Sequence, residues 1–228
     1  MSASGERQVA PEGGLNKKRV VAEAVRLADR EGVHGLSMRR LANELGAGAM
    51  SLYHYVASRD ELLDAMVDVV FEEIELLSDG TDWQSAIRRQ AMSTRHALAR
   101  HPWAISLMES RTTPGPANLR YREAFTACLR TAGFSIVTAT RANWLLDSYV
   151  YGFALQEVSL PFDTADDLVE MTADVYLPQI PPEEFPYLNE SAAALAAAGF
   201  DPADEFLFGL DLILAALEPL RASGDQVA

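Results

Sequence analysis

The fold is decided by residues 32–66, which read GVHGLSMRRLANELGAGAMSLYHYVASRDELLDAM. Ser37 is a helix-capping residue type, and a short helical pattern follows it over residues 38–45. A glycine-containing turn at residues 46–48 leads into a second short helical segment at 49–56. Two helices joined by a turn of this length predict a helix-turn-helix unit, whose second helix enters the major groove of DNA.

Helical patterns also lie on both sides of this unit. Upstream, Asn16 is a suitable N-cap for a helix that Gly32 and Gly35 end. Downstream, Ser58 begins a helix with acidic residues in its first turn, where negative charge suits the helix dipole. The apolar spacing predicts that this helix continues to about Leu77.

The rest of the chain is also helical in pattern, and alternating strand-like patterning is absent over any useful length. A break at residues 79–82 is followed by predicted helices near 83–100, 102–111, 116–132, 137–158 and 203–217, with two short ones near 164–175 and 189–198. The sequence therefore predicts an all-α fold. It predicts a flexible arm at 1–14, a three-helix DNA-binding domain at 15–63, and a helical bundle for ligand binding and dimerisation at 64–228.

The net charge of −14 argues at first against a nucleic-acid partner, because phosphate attracts basic surfaces. The distribution of charge answers this objection. Residues 1–60 carry nine Lys/Arg against seven Asp/Glu, whereas the remaining 168 residues carry ten against 26. This asymmetry is expected if only the N-terminal part meets DNA.

Composition excludes several other classes of protein. The sequence has no run of 18 apolar residues, so it predicts no membrane span, and the first fourteen residues contain no apolar signal region. The single cysteine, Cys128, excludes an intramolecular disulfide and a cysteine-based zinc site. It lies in an apolar helical pattern, which favours an inert buried thiol in a reducing cytoplasm.

The order of residue types in 32–66 closely resembles the DNA-binding domain of TetR-family regulators. The features that carry this resemblance are Gly35-Leu36, Arg39-Arg40-Leu41-Ala42, Leu45-Gly46, Ser51-Leu52-Tyr53-His54-Tyr55-Val56 and Ser58-Arg59-Asp60-Glu61-Leu62-Leu63. In that family the fold is all-α and the protein is a homodimer that binds a double-stranded operator. A small molecule in the C-terminal domain changes the spacing of the two DNA-binding domains and releases the DNA.

Chemistry and the resemblance together indicate which residues meet DNA. Hydroxyl, imidazole and guanidinium groups can reach phosphate oxygens or base edges, while the apolar pair Ala49 and Met50 suits thymine methyl groups. Arg59 can clamp the backbone beside the amides that begin its helix. The predicted DNA-binding residues are Arg39, Ala49, Met50, Ser51, Tyr53, His54, Tyr55 and Arg59.

The C-terminal region is similar to that of tetracycline-repressor-type members through DWQSAIRRQAMSTRHALARHP (82–102), TAGFS (131–135) and YGFALQE (151–157). The histidine through which tetracycline repressors hold a metal-chelated drug falls here near Leu107 or Met108, and neither ligates a hard metal. A larger aromatic or apolar molecule is therefore the expected effector. Polar or aromatic groups on otherwise apolar helices supply the candidate pocket, namely Gln90, Thr94, Met108, Arg111, Trp144, Ser148, Tyr151 and Gln156.

Two long apolar segments, 138–158 and 203–217, are available for dimerisation. The second is apolar over more than one face, and a helix of that width needs two partners, its own core and a second subunit. No metal or cofactor is expected.

Other functional classes fit the sequence less well or stay open. An enzyme is disfavoured because His96 and His101 lie about 140° apart around a helix, and no nucleophile–base pair or phosphate-binding glycine loop is present. A DNA-binding regulator without an effector, and an activator rather than a repressor, both remain open from sequence.

Overall fold

The computed structural model describes residues 14–77, 82–108, 110–161 and 165–222. These residues fall into two compact units, one ending at Met66 and the other beginning at Val67. Apart from Gly14, the predicted flexible arm lies outside the described residues, as does the break at 79–82 apart from Asp82. The predicted domain limits 1–14, 15–63 and 64–228 stay predictions.

All of the regular structure in the described ranges is helical, which confirms the all-α prediction. The α-helices are α1 (Lys17–Gly35), α2 (Met38–Glu44), α3 (Ala49–Leu52), α4 (Arg59–Glu72), α5 (Trp83–Arg100), α6 (Ile105–Met108), α7 (Pro116–Thr131), α8 (Ile136–Glu157), α9 (Ala165–Met171), α10 (Pro186–Ala198) and α11 (Pro202–Ala222). None of the helices in this described part is long and apolar enough to cross a membrane.

The helices of the first unit begin where the sequence predicts. The Asn16 side chain accepts a hydrogen bond from the Arg19 amide at 2.9 Å, and Ser37 accepts one from Arg40 at 3.2 Å. Ser58 does the same for Glu61 at 3.0 Å. Each cap satisfies an amide that the first turn of a helix leaves without a partner.

Glycine supplies the backbone angles at two breaks of the first unit. Gly32 has φ 73° and kinks the end of α1, and Gly46 has φ 63° after α2. Both angles lie in the left-handed region, which costs other residues free energy. The helices that these breaks separate bury a shared apolar core, in which Leu27, Leu41 and Leu52 are fully buried.

Two boundaries differ from the sequence prediction. Helix α4 ends at Glu72 rather than near Leu77, because Glu73 and Ile74 form tighter i→i+3 bonds and the Glu75 amide donates to the Ser93 hydroxyl at 2.9 Å. Helix α3 has four residues instead of the eight of segment 49–56. His54 and Tyr55 donate to backbone carbonyls three residues earlier, so a tight turn replaces a further helical turn.

In the second unit, α8 packs against α5, α7 and α11. Asp82 caps α5 through the Ser85 amide, and Trp83 meets the ring of Phe134 edge-on at 5.0 Å. Large side chains such as Leu129 and Phe206 are fully buried between these helices. Burial of this apolar area from water is the main force that holds the unit together.

One polar cluster lies within this core. Arg95 on α5 is 7 % exposed and forms a two-bond ion pair with Glu157 on α8. Its guanidinium also lies over the rings of Phe153 and Phe206, at 5.8 and 5.6 Å from their centroids. These contacts connect α5, α8 and α11 at one point.

The structure differs from three further predictions. The helix predicted at 102–111 is a 3-10 turn, Pro102–Ala104, followed by the four-residue α6. The helix predicted at 164–175 ends at Met171 and continues as a π-turn over Thr172–Tyr176. Cys128 is half-buried rather than buried, because its neighbour Leu129 occupies the inward position of α7.

Candidate DNA-binding and effector sites

Helix α2 presents one unoccupied arginine at the surface. Arg39 is exposed and makes no ion pair or hydrogen bond to any part of the chain that the structure describes. Its neighbour Arg40 is held by Glu31 at 2.6 Å. Of the two adjacent guanidinium groups, Arg39 is therefore the one available for an external anion.

The short helix α3 exposes an apolar side chain at its start. Met50 is 78 % exposed, although it is a large hydrophobic residue, while Ala49 is half-buried. Ser51 donates to the Gly48 carbonyl at 2.6 Å, so its hydroxyl proton is used within the helix and its oxygen can only accept further bonds. Met50 makes no contribution to the core that would explain its presence here.

The three predicted residues after Leu52 lie in a turn, not on the second helix, because α3 is short. Tyr53 follows the last residue of α3 and is 43 % exposed; His54 is exposed and Tyr55 is half-buried. Their placement on a recognition helix was wrong, whereas their role in DNA contact stays a prediction.

Two charged side chains lie at the start of α4, the capping carboxylate of Glu61 and the guanidinium of Arg59. Glu61 accepts bonds from the Lys17 side chain and from the Ala57 amide, both at 2.6 Å, and these two bonds lower the pKa of its carboxyl group. Arg59 is exposed and reaches the Val33 carbonyl at 3.3 Å, a long bond that leaves most of its donors unused.

In the second unit, four of the eight predicted effector residues are buried. Gln90 and Thr94 lie one turn apart on α5, and Met108 and Tyr151 lie on α6 and α8. Gln90 is 2 % exposed, and its side-chain nitrogen has no hydrogen-bond partner. The Thr94 hydroxyl donates to the Gln90 backbone carbonyl at 2.9 Å, so it does not satisfy that nitrogen.

The other four predicted effector residues do not occupy buried helical positions, contrary to expectation. Trp144 is 68 % exposed, and Ser148 is exposed and already donates to the Trp144 carbonyl at 2.8 Å. Gln156 is exposed and borders an open cleft of about 230 Å³ beside Phe153. Arg111 lies after α6 rather than on a helix. The sequence pattern failed because α8 has two apolar faces, and only one of them is buried in this chain.

Buried polar residues that the sequence did not single out lie between α7 and α8. Asn118, Asn143 and Asp147 are each less than 10 % exposed. Arg122 donates to the Asn118 side chain at 2.9 Å and approaches Asp147 at 3.7 Å. In the sequence, these polar residues stand at positions that amphipathic helices turn inward. Their pairing could not be deduced, because it depends on how two helices pack and the pattern of a single helix does not report it.

A second polar cluster follows the end of α4. Glu73 accepts a bond from Arg100 at 2.6 Å and lies 3.2 Å from the imidazole of His101. Burial of this carboxyl group opposes its ionisation, but the bond from Arg100 and the interaction with His101 outweigh burial and lower the pKa of Glu73. Within the described ranges, no group of three or more potential ligands is arranged to hold a metal ion.

Comparisons with known proteins agree with this arrangement of two units. Residues 20–66 match the model of bacterial regulatory proteins of the tetR family, and residues 78–221 match the tetracyclin repressor-like C-terminal domain. The HTH-type transcriptional repressor DrrR1 of Streptomyces coeruleorubidus is 37% identical over 93% of this chain and 80% of its own length. Tetracycline repressor protein class C of Escherichia coli is 26% identical over 93% of this chain and 95% of its own length.

Solved structures show the same relationship. The TetR family protein ActR of Streptomyces coelicolor, in complex with actinorhodin, is 30% identical and superposes with a TM-score of 0.77 over 92% of this chain and 100% of its own. The helix-turn-helix unit, the buried helical second unit and these matches lead to one assignment. The chain belongs to the TetR family of bacterial transcriptional repressors.

Proposed function

We propose that this protein represses transcription as a homodimer on a palindromic operator and is released by a largely apolar, aromatic small molecule bound within the second unit. The observation that carries the effector part is the Gln90 amide nitrogen, which is buried and without a partner. A buried donor of this kind costs about 1–3 kcal/mol unless something accepts its hydrogen bond. A carbonyl or phenolic oxygen on a bound molecule would remove that cost.

Three further buried residues of the second unit that were predicted to contact the effector indicate its chemistry. Thr94, Met108 and Tyr151 offer mainly methyl, thioether and aromatic surface with hydroxyl groups at two points. A pocket formed by these side chains together with Gln90 would suit a molecule with aromatic rings and a few oxygen atoms. ActR, whose structure was solved with actinorhodin, supports an aromatic effector of this kind for the present chain.

Thermal unfolding with a panel of aromatic compounds, with actinorhodin as the first probe, tests this proposal. A compound at 100 times its dissociation constant should add about 2.7 kcal/mol to the free energy of unfolding. Operator DNA and the compound must then weaken each other's binding by the same factor. If the protein bound the compound equally tightly with and without operator, it would instead be a constitutive DNA-binding regulator, the alternative that the sequence left open.

Replacing Gln90 with leucine should weaken effector binding by about 1–3 kcal/mol, or roughly 5-fold to 150-fold, because the acceptor on the ligand loses its donor. Operator affinity should not change. Calorimetry measures both. Gln156→Leu is the matched control, since that side chain is exposed, and equal losses in the two variants would contradict the assignment to Gln90.

Replacing Arg59 with alanine should weaken binding to every duplex. It should also lower the slope of log affinity against log salt concentration by about one for each phosphate that is no longer neutralised, hence about two in a dimer. Met50→Ala should instead change which duplex is preferred, since an exposed apolar side chain suits a thymine methyl group. Fluorescence anisotropy across a salt series measures the slope. Arg26→Ala, an exposed arginine on α1 paired with Glu23, is the control and should leave the slope unchanged.

The dimer part of the proposal is supported by apolar surface on two adjacent helices. On α8, Trp144 and Leu145 are 68 % and 47 % exposed, and on α11, Phe208 and Leu212 are 67 % and 59 % exposed. These helices pack against each other, so their outer faces adjoin. Adjoining apolar faces of this extent suit a second copy of the same surface about a twofold axis.

A further inference from the structure

A carboxylate on α4 caps a different helix, α7. Asp68 Oδ1 accepts hydrogen bonds from the backbone amides of Ala117 at 2.9 Å and Asn118 at 3.0 Å. Pro116 is the first residue of α7 and has no amide hydrogen, and the N-cap Gly115 has no side chain to offer. One side chain from another helix therefore accepts hydrogen bonds from the two amides that α7 itself leaves unsatisfied.

The approach of the two helices depends on Gly115. Its φ is −78°, which any residue can adopt, so the backbone angle does not require glycine. The lack of space requires glycine, because a Cβ atom at this position would overlap the carboxyl group of Asp68 and lie 2.7 Å from its Cβ. The glycine and the carboxylate therefore form one matched contact, which we call the α4–α7 tie.

Polar contacts continue from this tie to α8. The Asn118 side chain accepts from Arg122 at 2.9 Å, Arg122 lies 3.7 Å from Asp147, and Asn143 donates to Asp147 at 3.2 Å. Polar groups that depend on one another for their hydrogen bonds cannot shift singly without leaving a buried group unsatisfied. The outer face of the same α8 segment carries Trp144 and Leu145.

Helix α4 runs through the border between the two units, with Arg59 at its first residue and Asp68 beyond the border. We propose that Asp68 is a positioning residue: through the α4–α7 tie, it couples operator binding at the start of α4 to the conformation of α7 and of the polar contacts on α8. This inference rests on the proposed operator binding and needs no effector.

Hydrogen exchange of the full-length protein tests the coupling, with a duplex selected by the protein itself from random DNA as the probe. In the wild type, saturating operator should change exchange in the 119–130 segment of α7 by at least about fivefold. Asp68→Ala should abolish this change while retaining operator affinity within about tenfold. Glu72→Ala, which removes an exposed carboxylate from the same helix, should behave as wild type.

Gly115→Ala tests the tie from its other side. This variant should lose the operator-linked change and unfold at a lower urea concentration, because the new methyl group displaces the carboxylate. In an Asp68→Ala background the same change should cost less, since the obstructing carboxyl group is gone and only the contact with the Cβ of residue 68 remains. Additive effects of the two substitutions on the urea midpoint would contradict the contact.

The outcomes separate the possible failures. Unchanged α7 exchange on operator binding to the wild type, or a full response in Asp68→Ala, would overturn the coupling. Failure of the wild type to bind any selected duplex would overturn the proposed operator binding instead, and the anisotropy titration that precedes the exchange experiment detects this directly.

Discussion

Arg95→Ala is expected to destabilise the second unit by about 3–5 kcal/mol, because it leaves the Glu157 carboxylate without its partner in a largely buried site. The side chains of Arg95 and Glu157 are 9% and 20% exposed, so water can replace only part of the missing interaction. The guanidinium also packs over two aromatic rings, and alanine removes that packing as well. Urea unfolding followed by circular dichroism measures the change.

Two further variants separate this effect from a general loss of charge. Arg88→Ala removes a similar ion pair with Asp211, whose side chains are 37% and 54% exposed, and should cost at most about 1 kcal/mol. Arg95→Met combined with Glu157→Leu should recover most of the stability, since a buried pair can be exchanged for apolar side chains. A double variant as unstable as Arg95→Ala would show that the aromatic contacts, not the unpaired charge, dominate.

Leu212→Glu is expected to convert the proposed dimer to a monomer at micromolar concentration, because it places a charge on the exposed apolar face of α11 that is proposed to meet a second copy. Operator affinity should then fall by about 100-fold or more, since the second half-site no longer contributes through its enforced proximity. Sedimentation velocity and anisotropy measure the two effects.

Leu119→Glu is the matched control for this substitution. Leu119 on α7 is 54 % exposed, close to the 59 % of Leu212, but it lies on neither α8 nor α11. This variant should stay dimeric and bind operator normally. A Leu212→Glu protein that remains a dimer would place the interface on another surface.

The sequence predicted the first unit well because its signals are local. A capping side chain such as Ser37 and the glycine at Gly46 each act within a few residues, and the structure confirms both. The short α3 was not predicted, since an apolar residue every third or fourth position fits a tight turn as well as a helix. The end of α4 was missed because it depends on Ser93, which lies on another helix.

The second unit was harder to predict for a related reason. Helix α8 buries Asn143 and Asp147 and exposes Trp144, which reverses the usual rule that apolar residues face inward. The polar pair is tolerated because Arg122 on α7 lies beside it, and no periodicity within α8 reports a partner on a different helix. Gln90 and Thr94 were placed correctly in the interior because α5 has a single buried face.

The border between the two units also has a consequence for dissecting the molecule. It falls inside α4, between Met66 and Val67, so a cut at the border leaves residues 59–66 of the helix in one fragment and 67–72 in the other. Helices of that length are marginal in water without a partner. Proteases separate domains most readily at exposed, flexible linkers, and a hydrogen-bonded helix offers them no such site. A fragment that ends at the border therefore loses the last six residues of α4, whereas one that extends to Glu72 exposes Val70 and Phe71, which are buried in the intact chain.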